Sequence, residues 1–133
     1  MKNSLFMLCL LVFLVAIGCS GNKRLSGKVT FSDDGSPVPN GMVIFSRDNF
    51  ISRGEIQSDG TYKLSSEREN DGIPPGEYKV YVSGISEMPP SIPGVMTIPI
   101  PLCDPKFEDP STSGLTCTIP APGSRFDFAV DRR

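Results

Sequence analysis

Histidine and tryptophan are both absent from the 133 residues of this chain. Without histidine, the chain has no Ser-His or Cys-His nucleophilic pair, no histidine zinc site, and none of the side chains that most often act as a general base near neutral pH. Two cysteines in the body of the chain are too few for an ordinary four-ligand zinc site. We therefore expect a protein that is not an enzyme, with no catalytic residue, no metal and no cofactor.

Positive charge is not concentrated anywhere in the sequence. Lysine and arginine are interleaved with acidic residues, and the formal net charge is −2. A nucleic-acid-binding surface is usually a basic patch, so we expect no nucleic-acid partner. Lys23 and Arg24 form the one adjacent basic pair near the amino terminus, where they would either contact anionic lipid headgroups or belong to a solvated tether.

Acidic residues cluster at two places, Asp33-Asp34 and the group Glu67, Glu69 and Asp71. Paired carboxylates can act in glycoside hydrolysis or hold calcium. Both clusters, however, stand beside glycine or asparagine in predicted turns, where an aspartate side chain binds its own backbone. We interpret both clusters as turn residues, and a carboxylate-based enzyme is the lesser alternative.

The longest apolar run lies at the amino terminus. Lys2 is followed by thirteen apolar residues, 5–17, and then by Gly18-Cys19. As a helix this run would cover about 20 Å, against roughly 30 Å of hydrocarbon in a bilayer. The pattern favours a signal peptide over residues 1–18 rather than a membrane-spanning anchor.

The residues around the cleavage point, Val15-Ala16-Ile17-Gly18-Cys19, resemble the lipobox of bacterial lipoproteins. The resemblance implies that Cys19 becomes the acylated first residue of the mature protein, with 19–24 as lipid anchor and tether. Ala16 departs from the leucine usual at that position. Ser20 is not the acidic residue that retains some lipoproteins in the inner membrane, so we expect an anchor in the outer membrane, facing out of the cytoplasm.

The alternative is an ordinary signal peptidase, which would leave Cys19 as a free thiol. Cys19, Cys103 and Cys117 would then be three cysteines in an oxidising compartment, with one unpaired. Acylation of Cys19 removes this odd count and leaves Cys103 and Cys117 as a candidate disulfide. A bridge between them would close a ring of about 15 residues and contribute about 3 kcal/mol. The other interpretation is that Cys117 is a small core residue.

Alternating apolar and polar residues recur along the rest of the chain and predict seven strands. These lie near 25–31, 43–46, 54–57, 62–64, 78–82, 115–119 and 126–130. Glycine, proline and asparagine turns separate them, and Asp59-Gly60 is a strong hairpin signal. We therefore expect an all-β, seven-stranded antiparallel sandwich over 25–133. Its predicted core consists of Leu25, Val29, Phe31, Val43, Phe45, Tyr62, Leu64, Tyr78, Val80, Val82, Phe126 and Phe128.

The alternating pattern of short strands is interrupted in one segment, residues 85–114, which we call the flap. It contains seven of the thirteen prolines and only one strand candidate, 95–98. Long loops in compact domains are often functional, and proline fixes φ. We expect an ordered, extended flap that either presents a contact surface or covers an edge of its own sandwich.

Four stretches, SGKVTF, DGSPVPNGMVIF, GEIQSDGTYKL and IPPGEYKVYV, resemble in order and spacing the carboxypeptidase regulatory-like domain. The endings PKFEDPSTSGLTCTI and FDFAV resemble small bacterial lipoproteins that carry this domain alone. The resemblance implies a transthyretin-like Greek-key sandwich of seven strands at the cell envelope. It implies no catalytic residue.

The expected function is a membrane-anchored, extracytoplasmic module that binds a partner or contributes to envelope structure. An envelope protein, a glycan or a second copy of the chain would be the partner. Sugar binding is the main alternative, although Tyr81 is the one tyrosine predicted to face outward. The predicted contact surface is the flap segment 87–100. Its candidate contact residues are Glu87, Met88, Ile92, Val95, Met96 and Ile98, together with Tyr81 of the neighbouring strand.

Overall fold

The computed structural model describes residues 21–66 and 71–133. The predicted signal peptide and its helix, Cys19, Glu67 and Glu69 lie outside the described residues. Within the described part the chain is all-β: it forms strands and two short 3-10 helices, and no α-helix occurs there. None of the helices in this part is long or apolar enough to cross a membrane.

Nine strands and two 3-10 helices make up the described chain. The strands are β1 (Ser26–Phe31), β2 (Met42–Arg47), β3 (Phe50–Glu55), β4 (Thr61–Lys63), β5 (Gly76–Ser83), β6 (Ser86–Glu87), β7 (Ile100–Pro101), β8 (Leu115–Ile119) and β9 (Phe128–Val130). The 3-10 helices are Pro105–Glu108 and Pro122–Ser124. Each predicted strand segment overlaps one of the longer strands, and β6 and β7 are an additional short pair within the flap.

The larger sheet has the strand order β3-β2-β5-β8, and all its neighbours are antiparallel. Val43 lies opposite Val82, and Phe45 lies opposite Val80. The alternation in β5 explains this register, because a shift of one residue would turn the apolar side chains of the strand to solvent.

The smaller sheet has the order β4-β1-β9 and is mixed. β1 runs antiparallel to β4 but parallel to β9, with Val29 opposite Phe128. The expectation of a purely antiparallel sandwich is therefore wrong for this pair. The chain between β8 and β9 crosses from one sheet to the other, and this allows β9 to join β1 in the same direction.

The apolar side chains of both sheets form one core, so the fold is sandwich-like. Of the twelve predicted core residues, eleven are buried, and Phe126 is half-buried and packs against them. The core also contains residues that alternation did not single out, namely Val38, Ile73, Ile85 and Phe107 from the connections. At Gly27 a side chain is excluded, because its Cβ would overlap the carbonyl oxygen of Phe126.

The bounds of the third strand differ from the prediction. β3 spans Phe50–Glu55 instead of 54–57, and it follows β2 through the two-residue turn Asp48-Asn49, where Asp48 has φ 51°. Aspartate and asparagine tolerate such angles in tight hairpins. The predicted Asp59-Gly60 hairpin is present: the Gln57 N–H donates to the carbonyl oxygen of Thr61 at 2.8 Å, and Arg53 and Ser65 form an antiparallel bridge. The strand β4 between them pairs with β1 of the other sheet.

β5 defines two poles of the molecule. Lys23 forms a bridge with Ile73, just before β5 begins, and we call this end the tether pole. The flap leaves the other end of β5 after Ser83, and we call this end the flap pole. Eight residues of strand separate the poles by roughly 25 Å.

Candidate functional site

The flap is fixed to the sandwich at its root. β6 and β7 pair there, with Ser86 opposite Pro101. The side chain of Asn40 makes two hydrogen bonds to the backbone of Ser86, as a neighbouring strand would. Its Nδ2 donates to the carbonyl oxygen of Ser86 at 2.7 Å, and its Oδ1 accepts from the Ser86 N–H at 3.0 Å. Ile85, one residue earlier, is buried in the core. The root therefore has a defined position relative to β2 and β5.

The far end of the flap is a turn built by proline and glycine. The N–H of Val95 donates to the carbonyl oxygen of Ile92 at 3.1 Å, and Gly94 has φ 81°. A type II turn requires a positive φ at its third position, which favours glycine, and it commonly has proline at its second position. We call residues 92–96 the flap tip, and its conformation is determined locally by Pro93 and Gly94.

The apolar side chains of the projecting flap point into solvent. Of the seven large apolar residues exposed in the described chain, six belong to this segment, and Met96 at the tip is 89% exposed. The six are Met88, Ile92, Val95, Met96, Ile98 and Ile100. Five of them were predicted as contact residues. Ile100 ends the predicted contact segment 87–100 but was not named individually, although its place between Pro99 and Pro101 gave the same signal.

The other two predicted contact residues are not among these six apolar side chains. Glu87 is exposed at the root, in β6. Tyr81 is half-buried on the outer face of the larger sheet, opposite Ile44.

Only the first half of the flap projects. The second half returns to the sandwich through the first 3-10 helix, where Phe107 is buried, and Ser113 donates its hydroxyl to the carbonyl oxygen of Val80 at 2.6 Å. The strand predicted at 95–98 is wrong, since these residues form no strand and the strands of the flap are β6 and β7. Residues 88–99, all of which the structure describes, pair with no edge of the sandwich.

Cys103 and Cys117 are both free and buried, so the predicted disulfide is not formed. Cys117 lies opposite Tyr78, near the beginning of β5, whereas Cys103 follows β7 at the flap pole. A bridge requires Cα atoms within about 7 Å, and the two positions are at different ends of the core. Burial raises the pKa of Cys103 to about 12 and also raises the pKa of Cys117, so both thiols are protonated at neutral pH.

A network of charged side chains lies at the flap pole, beside the end of β1. The Arg132 guanidinium packs over the Phe31 ring and contacts the carboxylates of Asp33 and Asp34. Hydrogen bonds from the Ser36 hydroxyl and N–H lower the pKa of Asp34 to about 2. These bonds show that the Asp33-Asp34 pair stabilises a turn, as the sequence predicted.

No group of three or more histidine, cysteine, aspartate or glutamate side chains within residues 21–66 and 71–133 is placed to hold a metal ion. Three of the surface clefts among these residues are bordered by charged side chains. The charged residues are Arg53 in the first, Arg47, Asp48, Glu77 and Lys79 in the second, and Lys28 and Asp127 in the third.

The comparisons with known proteins do not identify a relative. No protein-family model, no curated protein and no solved structure matches the chain. The candidate site therefore depends on the geometry of the flap alone.

Proposed function

We propose that this chain is a non-catalytic binding module of the bacterial cell envelope, held at the membrane by an acylated Cys19 and presenting the flap to a partner. The observation that carries the proposal is the flap itself: a fixed root, a locally determined tip and six exposed apolar side chains. Exposed apolar patches of this kind commonly mark interaction sites.

The fold that we propose in finer detail is the transthyretin-like Greek-key sandwich of the carboxypeptidase regulatory-like domain. In support, the seven longer strands overlap the seven predicted segments, and the two short strands belong to the flap. Such a sandwich acts as a rigid scaffold, and function then resides in the connections that it positions.

The anchor is tested by metabolic labelling with a fatty acid in a bacterium that processes lipoproteins. The wild-type chain is expected to take up label and to partition into detergent, because two or three acyl chains bind a bilayer firmly. Cys19→Ser should keep its leader or stay unlabelled, while Cys103→Ser, which retains Cys19, should label normally. A mature wild-type protein with an unmodified Cys19 would disprove the anchor.

The binding role is tested by replacing residues 87–100 with a short Gly/Ser linker in the full chain. Crosslinking in native membranes is expected to lose the partners of the wild-type protein while the domain stays folded by circular dichroism. An unchanged set of partners would remove the flap from the proposal. Turnover of a substrate by the purified protein would overturn the non-catalytic assignment.

A further inference from the structure

The flap carries no charge over a long stretch. Residues 88–103 contain no aspartate, glutamate, lysine or arginine, and five of them are prolines. With six exposed large apolar side chains, this segment forms an uncharged apolar patch. On a typical monomer the largest exposed apolar patch covers about 300–600 Å² and is often a binding site. A partner complementary to it must be apolar and uncharged as well.

The backbone of the flap excludes the hydrocarbon of a bilayer as its binding medium. Within residues 88–99, the bond from Val95 to Ile92 is the one backbone hydrogen bond that we find. The N–H groups of Met96 and Ile98, for example, would lose their water without gaining a partner. Irregular backbone exposed to lipid is not tolerated for this reason, whereas a protein groove offers both apolar contacts and hydrogen-bonding groups.

The position of the tether also separates the flap from the membrane of its own chain. The stretch from Cys19 to Lys23 spans at most about 14 Å, and Lys23 lies at the tether pole. The flap begins at the opposite pole, roughly 25 Å away along β5. A molecule that stands on its tether therefore presents the flap away from the bilayer.

The three clefts of the described residues do not suit the flap of a second copy of the chain. Each of the three clefts described above is bordered by charged residues, such as Arg53 in the first and Lys28 and Asp127 in the third. Covering these charges with an uncharged segment would remove water from them without replacing it.

We infer that the flap tip inserts into an uncharged, apolar groove of a different extracytoplasmic protein, and that the flanking backbone pairs with main-chain groups of that groove. This inference rests on the proposed function and names the kind of partner that the flap binds. The turn at Pro93-Gly94 holds the tip in one conformation before binding, which lowers the entropy cost of docking.

The experiment is photo-crosslinking of the full chain in the bacterium from which the sequence comes. A photoreactive residue is placed at Val95 in the tip or, as a control, at Thr118, which is exposed on β8. Val95 is expected to give one discrete heterologous adduct that Thr118 does not give, and mass spectrometry should locate the crosslink in an apolar, uncharged segment of the partner.

Two pairs of variants sharpen this result. With the crosslinker at Val95, Met96→Asp should lower the adduct at least about tenfold, because a carboxylate is costly in an apolar groove, while Thr118→Asp adds the same charge elsewhere and should not. In Gly94→Ala the new Cβ meets no neighbouring atom, but the positive φ of the turn is strained, so the yield of adduct should fall several-fold. Gly84→Ala introduces the same kind of backbone strain, in equally open space but outside the flap tip, and should lower the yield less. Thermal unfolding of Met96→Asp should match that of the wild type.

Several results would overturn the inference. They are equal adducts from Val95 and Thr118, an adduct with a second copy of the chain, an adduct located in a charged segment, or no adduct from the tip. Flap-dependent binding of Cys19→Ser protein to phosphatidylethanolamine/phosphatidylglycerol vesicles would assign the tip to lipid and would also overturn it. Fatty-acid labelling of the same cells reports separately on the anchor, so loss of label with an intact tip adduct would disprove the anchor alone.

Discussion

β5 and the projecting half of the flap are both rich in apolar residues, yet they bury them very differently. In β5, Tyr78, Val80 and Val82 alternate with polar side chains, and all three are buried between paired strands. In the flap, Ile92 and Met96 are separated by a proline turn instead of alternating, and both remain exposed. The apolar side chains of β5 are buried because the strand is paired on both sides and turns them onto the core, whereas those of the projecting flap lie on a segment that pairs with no sheet edge.

The largest expected effect tests the core side of this comparison. Phe45 is fully buried and contacts the rings of Tyr78 and Phe126. Phe45→Ala should lower the free energy of unfolding by about 3–5 kcal/mol, because it removes apolar burial and leaves a cavity. Urea denaturation measures the loss. A change below about 1 kcal/mol would mean that the core is not packed as described.

A smaller loss is expected where the two regions join. Asn40→Ala removes both hydrogen bonds to Ser86 and should lower the free energy of unfolding by about 1–2 kcal/mol. Asn40→Asp keeps the acceptor but loses the donor, so it should fall between alanine and the wild type. Hydrogen exchange at the Ser86 amide should accelerate in Asn40→Ala, and unchanged protection there would contradict the role of Asn40 at the root.

Acid should weaken the network at the flap pole. The pKa of Asp34 is lowered to about 2, first by the hydrogen bond from the Ser36 hydroxyl, so its stabilising effect is fully present above the ordinary pKa of about 3.9. This contribution is lost as the pH falls through the folded pKa, and the stability difference between wild type and Asp34→Asn should shrink between about pH 4 and pH 2. Carboxyl NMR should show a higher Asp34 pKa in Ser36→Ala, and an unchanged pKa would contradict the assigned cause.

The smallest effect is expected at the flap tip. Met96→Ser should change the free energy of unfolding by less than about 0.5 kcal/mol, because the side chain is 89% exposed. Lys79→Ala, an exposed position in β5, provides the matched comparison and should behave alike. A large loss in Met96→Ser alone would show that the tip packs against the domain, and the contrast between flap and sandwich would then be wrong.

Several features of the site were predictable from local pattern. The apolar and proline-rich character of residues 88–100 identified five of the six exposed side chains, and turn chemistry identified the Asp33-Asp34 pair. Alternation predicted that Tyr81 faces outward from its strand, and Tyr81 is half-buried there; its part in the contact surface stays a prediction. Cys103 and Cys117 were misjudged as a pair because spacing in sequence does not give separation in space.

Local sequence determined which segments form strands, which face of each strand is apolar, and where the chain turns, because side-chain alternation and the φ preferences of glycine and proline act over a few residues. Tertiary structure decided the parallel pairing of β1 with β9, the burial of Ile73 and Phe107 from connections, and the placement of the tether and the flap at opposite poles. These features depend on which strands meet across the core, and that choice is made by long-range packing that no short stretch of residues specifies.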